Sequence, residues 1–177
     1  MAGSAAIEER GDELLALYDR ALPQVYGYLV ARCGDEALAE DLTAEAFLAA
    51  VDGIKRNAIP NLTIAWLVGV ARHKLVDHWR RREREDRKLA LVQAETPDAE
   101  EVSWDERLDA ARAHDILESM GEHHRCALTL RYLDGLSVPE VAELMGRTVH
   151  ATEALLVRAR SAFRRTYEGN EGGSDDA

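Results

Sequence analysis

The sequence predicts an all-α protein of two small helical domains joined by an acidic linker. Alternation of polar and apolar residues, which would indicate strands, is nowhere sustained along the 177 residues. Ala, Leu, Glu and Arg, which all favour helices, dominate the chain. An acidic stretch that contains Pro97 separates the two halves, as is typical of a linker.

The predicted helices follow one another with short connections. They cover about 11–32, 36–53, 62–88, 106–119, 123–133, 137–145 and 148–166. We predict a first domain over 10–90, a linker over 91–106, a second domain over 107–167 and a disordered acidic tail over 168–177. A chain of this length can form one medium domain or two small ones.

The helix over 62–88 combines a core-facing stripe with a basic cluster. The stripe consists of Trp66, Leu67, Val70, Ala71 and Leu75, and it can extend to His78. The other faces carry Arg72, Lys74, Asp77, Arg80, Arg81, Arg82 and Arg84, with Trp79 among them. Cations interleaved with an aromatic ring are typical of a surface for single-stranded nucleic acid. The alternative is a solvated basic face with Trp66 and Trp79 both in the core.

The last two helices have the pattern of a helix-turn-helix. Ser137 and Glu140 form a predicted capping box, and Pro139 lies in the first turn, where its missing N–H costs little. Gly146 then ends the helix in a left-handed conformation. The first helix has an apolar stripe of Val141, Leu144 and Met145, and the second one of Val149, Thr152, Leu156, Ala159 and Phe163. Such a pair presents its second helix to the DNA major groove, although an ordinary helical hairpin would have the same pattern.

The charge is strongly segregated. The chain has a net charge of −11. However, residues 71–90 carry eight basic and four acidic side chains, and residues 125–167 carry seven basic and four acidic ones. Phosphate binding depends on charge within about a Debye length, roughly 8 Å at physiological salt, so the net charge does not exclude DNA. Two basic segments on an acidic background indicate DNA binding at two places and a basic partner elsewhere.

Cysteine usage and hydropathy indicate a cytoplasmic protein. Cys33 and Cys126 are far apart in sequence, which fits free buried thiols in a reducing compartment better than a disulfide. The longest apolar run, Ile64 to Ala71, is too short to span a bilayer. The acidic start of the chain lacks the pattern of a signal peptide.

A helical metalloenzyme is another class of protein that the histidines and cysteines of the sequence could indicate. Its potential ligands are His114, His123, His124 and Cys126. A di-iron bundle requires Glu three residues before each His, and no histidine here has one. Zinc-ligand spacing is also lacking. We therefore predict no catalytic residues, no metal and no cofactor.

Three motifs in order resemble one protein family. They read AEDLTAEAFLAAV, WLVGVARHKLVDHWRRR and LTLRYLDGLSVPEVAELMGRTVHATEALLVRAR. Together they resemble the extracytoplasmic-function sigma factors of bacterial RNA polymerase, and the resemblance covers about residues 12–167. It implies region-two and region-four domains with no region-three domain between them. The implied activity is to recruit core polymerase to a promoter and help to open the DNA, without enzymatic chemistry.

The resemblance implies three sets of site residues. Those for core polymerase are Glu40, Asp41 and Glu45. The alternative for these acids is that they only stabilise a helix N-terminus through its dipole. Those for the −10 element are Arg56, Asn57, Asn61, Arg72, His73, Asp77, Trp79, Arg80 and Arg81. Those for the −35 element are Arg147, Thr148, His150, Glu153 and Arg158. The loop Lys55 to Asn61 matches the pocket for a flipped base, or it is a plain Asn/Pro turn.

The chain departs from the family at several of these positions. Ala44 replaces the usual glutamine and His73 a frequent asparagine, while Glu153 and Leu155 stand where a lysine and an arginine face DNA. The −35 sequence is therefore unusual, or binding there is weak and the first domain dominates. A polymerase-independent helix-turn-helix regulator is the alternative function.

The resemblance also implies partners and a role for the linker. An anti-sigma factor is expected as a partner, beside core polymerase and promoter DNA. Six linker carboxylates either mimic RNA in the polymerase exit channel or form a solvated tether. They are Glu95, Asp98, Glu100, Glu101, Asp105 and Glu106.

Overall fold

The computed structural model describes residues 2–59, 61–89 and 110–169. These residues form helices and loops without a strand, which confirms the predicted all-α fold. The helices are α1 (Ala2–Cys33), α2 (Glu36–Lys55), α3 (Ile64–Leu89), α4 (Ala110–Ser119), α5 (Glu122–Leu128), α6 (Val138–Met145) and α7 (Val149–Gly169). The predicted linker and residues 170–177 of the predicted tail lie outside the described residues.

Among the described residues, three helix boundaries differ from the prediction by three residues or more. α1 begins at Ala2 instead of near residue 11, because Ala and Glu favour helix in this segment. The helix predicted over 123–133 ends at Leu128 and continues as one π-helical turn, in which the N–H of Asp134 donates to the carbonyl of Thr129 at 3.0 Å. α7 extends to Gly169, two residues into the predicted tail.

The chain folds as two compact units that divide between Asp77 and His78. This division lies inside α3, so the helix contributes its first part to one unit and its second part to the other. The functional domain boundaries at 10–90 and 107–167 remain predictions.

The first unit buries one face of each of its helices. Gly34, with φ of 67°, connects α1 to α2, and the Asp35 carboxylate caps α2 by accepting from the N–H of Leu38 at 3.1 Å. Of the predicted α3 stripe, Leu67, Ala71 and Leu75 are at most 1% exposed. The other core residues are Leu14, Ala21, Val25, Leu29, Cys33, Ala39, Leu42, Ala46, Phe47, Ala50, Ile54, Ile59 and Val76.

The second unit has its core around α5, α6 and α7. Two predictions about the faces of α7 are wrong: Leu155, expected to face DNA, is 1% exposed, and Val149, expected inside, is 43% exposed. The buried positions of α7 recur three or four residues apart, and Leu155 falls into that stripe whereas Val149 precedes it. They are Thr152, Leu155, Leu156, Ala159 and Phe163.

The turn of the helix-turn-helix has the predicted geometry. The Glu140 carboxylate accepts from the backbone N–H of Ser137 at 2.7 Å, which completes the capping box, and Pro139 lies in the first turn. Gly146 has φ of 63° and ψ of 39°, the left-handed conformation that glycine adopts without a steric penalty. The turn therefore fixes where α7 starts relative to α6.

Cys33 and Cys126 are free and buried, as predicted. In the part of the chain that the structure describes, no helix is both long and apolar enough to cross a bilayer.

Gly146→Ala should lower the free energy of unfolding by about 1–2 kcal/mol, because left-handed backbone costs an L-residue that much. The added methyl group would also lie 2.7 Å from Nη2 of Arg80. Gly27→Ala is the control: Gly27 lies within α1 with nothing within 4 Å of an added Cβ, so stability should stay unchanged or rise. Denaturant unfolding of both variants measures the difference, and wild-type stability of Gly146→Ala would contradict the left-handed turn.

Candidate functional site

The loop that follows α2, of which the structure describes residues 56–59 and 61, packs beside the core of the first unit. The N–H of Asn57 donates to the carbonyl of Ile54 at 2.9 Å. Ile59 is 3% exposed and anchors the loop, and the Arg10 guanidinium donates to its carbonyl. Gly53 accommodates this anchor, because a Cβ there would lie 2.7 Å from the Ile59 side chain.

With Ile59 buried, the polar side chains of the loop are exposed to solvent. Arg56, Asn57 and Asn61 are all exposed, and Asn57 has a left-handed φ of 52°. Asn adopts that conformation more readily than most residues, since its short side chain bonds locally. The segment therefore presents one cation and two amides, groups that can bind a phosphate or the edge of an unstacked base.

The first part of α3 places three predicted −10 residues on the first unit. Arg72 is partly buried, and its Nε donates to the Tyr28 hydroxyl at 3.3 Å. His73 and Asp77 are exposed. Arg72 is therefore positioned by α1, whereas His73 has open access to solvent.

The remaining predicted −10 residues belong to the second unit, so the structure does not bring the whole set together within one unit. Arg81 is exposed and Arg80 is half-buried. The prediction that the ring of Trp79 stacks on a base is not supported, because this side chain is only 1% exposed. The Arg125 guanidinium lies 5.6 Å from the Trp79 ring centroid. Burial of Trp79 fits the alternative prediction, although Trp66 is partly exposed.

The acidic residues of α2 form an exposed face. Asp35 caps the helix and Glu36 lies in its first turn, while Glu40, Asp41 and Glu45 come later and are exposed. Since the helix dipole acts within the first turn, it does not account for these three carboxylates. Glu45 also pairs with Nζ of Lys74 on α3 at 3.2 Å.

An open apolar groove of about 470 Å³ lies beside Glu40, between α1 and α2. Its lining residues are Tyr18, Leu22, Pro23, Tyr26, Glu40, Thr43, Ala44 and Phe47. Apart from Glu40 and Ala44, the sequence analysis did not single them out. The sequence offered one signal for this groove: Tyr18 is an aromatic residue of α1 that lies outside the periodic buried stripe. It is 41% exposed in the structure. Burial of Tyr26, followed by the charge of Glu36, raises the pKa of its phenol.

The outer face of α7 carries the predicted −35 residues. Thr148, His150 and Glu153 are exposed, and the His150 and Glu153 side chains are 97% and 59% accessible. Arg158 is half-buried. Arg147, directly after the turn, is bound by the Glu83 carboxylate of α3, with 2.8 Å between Nη2 and Oε1. The open part of this face is therefore short of cations.

Burial shifts the pKa of one thiol and two histidines in the second unit. Burial raises the pKa of Cys126, so its thiol stays protonated. Burial, with the charge of His123 next, lowers the pKa of His124 to about 4, and its ring lies 4.3 Å from that of His123. Burial also lowers the pKa of His78. Among the described residues, no three potential ligands are grouped around one point.

Two family models match the chain. The model for sigma-70 region 2 matches residues 17–85, and the model for sigma-70 region 4 matches residues 110–163. The first match covers the groove, the loop and most of α3, and the second covers the helix-turn-helix.

Individual relatives agree with these matches. The chain is 35% identical over 150 residues to the ECF RNA polymerase sigma factor BldN of Streptomyces coelicolor, covering 81% of this chain and 56% of that protein. It is 29% identical to the ECF RNA polymerase sigma factor SigM of Bacillus subtilis, and the match covers 93% of this chain and 98% of that protein. The chain thus spans little more than half the length of the first relative.

A solved structure shares the fold. It is the sigma factor RpoE in complex with the anti-sigma factor NepR from Bartonella quintana, with 20% identity, a TM-score of 0.52 and coverage of 91% of this chain and 98% of that chain. Given both region models and these relatives, the chain belongs to the extracytoplasmic-function sigma factors of the sigma-70 family.

Proposed function

We propose that this chain is an alternative sigma factor that binds core RNA polymerase, directs it to specific promoters and helps to melt the −10 element. The observation that carries the proposal is the combination, in one chain, of a region-2 match that holds an exposed loop of one cation and two amides with a region-4 helix-turn-helix. Sigma factors are regulatory proteins, and the chain would have no chemistry of its own. It would act in the cytoplasm.

The polymerase would bind at the acidic face of α2. Glu40, Asp41 and Glu45 are exposed, and the helix dipole does not explain them. A basic coiled coil would donate charge-assisted hydrogen bonds to these carboxylates, and its apolar residues would cover the adjoining groove. Asp41 is the strongest candidate because it matches the family's aspartate.

The two DNA elements would bind to different sets of residues. Residues proposed for the −10 element are Arg56, Asn57, Asn61, Arg72, His73, Asp77, Arg80 and Arg81. Residues proposed for the −35 element are Arg147, Thr148, His150, Glu153 and Arg158. The linker would connect the domains as a tether or an RNA mimic, and an anti-sigma factor would keep the chain inactive.

Asp41→Asn should weaken binding to bacterial core polymerase about tenfold or more, since a charge-assisted hydrogen bond contributes about 1.5–3 kcal/mol. Asp12→Asn, the same charge change at an exposed position of α1, is the control and should bind like wild type. Affinity is measured by titrating labelled chain with core polymerase.

Polymerase dependence tests the function itself. Promoter-selective DNA opening, followed by permanganate reactivity of unpaired thymines, should require both the chain and core polymerase. Sequence-specific duplex binding by the chain alone, with no effect of polymerase, would instead show a polymerase-independent regulator.

Glu153→Lys should tighten binding of the holoenzyme to promoters of many −35 sequences, because the exposed side chain would gain a phosphate contact that carries no sequence information. The control is Glu168→Lys at the far end of α7, where the same charge change should have little effect. Both are titrated against single-base-pair substitutions in the −35 element. A change at one position would make Glu153 a base-reading residue, and a loss on all sequences would contradict the placement of α7 in the groove.

A further inference from the structure

One cation lies on the core-facing stripe of α1. The buried residues of this stripe recur four or seven residues apart and are Leu14, Ala21, Val25 and Leu29. Arg10 stands four residues before Leu14, so it continues the stripe toward the start of α1, and it is partly buried. A guanidinium in such a position requires an acceptor, because burying an unpaired charge is costly. Its acceptor therefore indicates what Arg10 does.

That acceptor belongs to the loop that follows α2. The Arg10 guanidinium donates to the carbonyl of Ile59, 49 residues further along the chain. Ile59 lies outside α2 and α3, so its carbonyl takes no part in the hydrogen bonds of either helix, and the residue is only 3% exposed. A buried backbone acceptor requires a donor, and the first part of α1 supplies it here.

Further anchors of this loop come from the end of α2. The N–H groups of Asn57 and Ala58 each donate to a carbonyl of that helix at 2.9 Å. The Ile59 side chain packs against Gly53, where a Cβ would lie 2.7 Å from it. Arg10 thus adds an anchor from a different helix to anchors that the end of α2 provides.

These anchors bear on a residue proposed to read a base. Asn57 lies two residues before Ile59, is exposed, and has a φ of 52° that most residues avoid. A binding group must be held within about 0.5 Å of its productive position, since hydrogen bonds weaken steeply as they bend. A shift of the Ile59 backbone would therefore change which base edge the Asn57 amide can meet.

We propose that Arg10 is a positioning residue for the −10 element: it fixes Ile59 and thereby the orientation in which Asn57 reads an unpaired base. The inference rests on the proposed function, because it deepens the role of the −10 loop. Arg10 precedes the match to the region-2 model, which begins at residue 17, so the anchor comes from a part of the chain outside that match. Loss of Arg10 would weaken base discrimination at one position, and not binding to every sequence.

The test uses holoenzyme of the full chain and bacterial core polymerase, with a pool of duplexes randomised over the −35 and −10 elements. Sequencing of the duplexes that the holoenzyme retains gives the base preference at each position. Arg10→Gln should lower the preference at one −10 position about tenfold, the discrimination that one good base contact supplies. Arg10→Lys keeps a charged donor and should keep most of the preference. Arg20→Gln, the same charge change at an exposed position of α1, is the matched control.

Two other roles of Arg10 predict different results. A direct phosphate contact would weaken binding equally on all sequences and would reduce the slope of log affinity against log salt by about 0.7 on a single strand. A purely structural role would lower the fraction of active protein and leave every base preference unchanged. Either result would overturn the proposal. If Arg10→Gln does not fold, as judged by circular dichroism, Arg10→Met takes its place, because it keeps an apolar stem on the core stripe and lacks the donor.

Hydrogen exchange of the polymerase-free chain gives a second readout. In Arg10→Gln the N–H groups of Asn57 and Ala58 should exchange faster than in wild type, and equal rates would overturn the proposal. Gly53→Ala acts on the same anchor from α2, because the added Cβ must displace the Ile59 side chain. It should weaken the base preference at the same −10 position as Arg10→Gln, and an effect at a different position would contradict a shared anchor.

The two measurements separate this inference from the proposed function. If the wild-type holoenzyme selects no −10 sequence from the pool, the proposed function fails, whereas hydrogen exchange still reports whether Arg10 holds the loop. If wild type selects a sequence and Arg10→Gln selects the same one with the same preference at every position, the proposed function stands and the positioning role of Arg10 is overturned.

Discussion

The left-handed turn at Gly146 is the constraint on which the second unit depends. It ends α6 and sets the start of α7, so that Thr152 and Leu155 enter the core while His150 and Glu153 stay outside. The same turn brings Arg147 to the position where Glu83 binds it. One backbone conformation therefore determines which residues of α7 enter the core, which stay exposed, and where Arg147 lies.

Segregated charge gives the chain two basic segments, but local pairing decides which of their cations are available. The two basic segments are surrounded by acidic ones, and the net charge of −11 hides them. In the second unit, Glu83 and Glu122 each bind an arginine, which reduces the positive surface offered to DNA.

The sequence predicted what depends on local signals. The helices, the capping box of Ser137 and Glu140 and the Gly146 turn follow from residues a few positions apart, and the structure has them. Which face of a helix is buried was harder to predict. Leu155 and Trp79 are buried because they pack against elements distant in sequence. The Glu83–Arg147 pair spans 64 residues and leaves no periodic pattern. The site residues on exposed loops came from family resemblance, since exposure alone does not distinguish a base-reading Asn from a turn.

The central claim is that the exposed loop after α2 contacts the melted −10 strand in the holoenzyme. A photo-crosslinking residue placed at Asn61, which is exposed, tests this claim most directly. We expect it to crosslink to the non-template strand of the −10 element in the complex of holoenzyme and promoter. No crosslink to that strand, in a complex that still opens the promoter, would contradict the account.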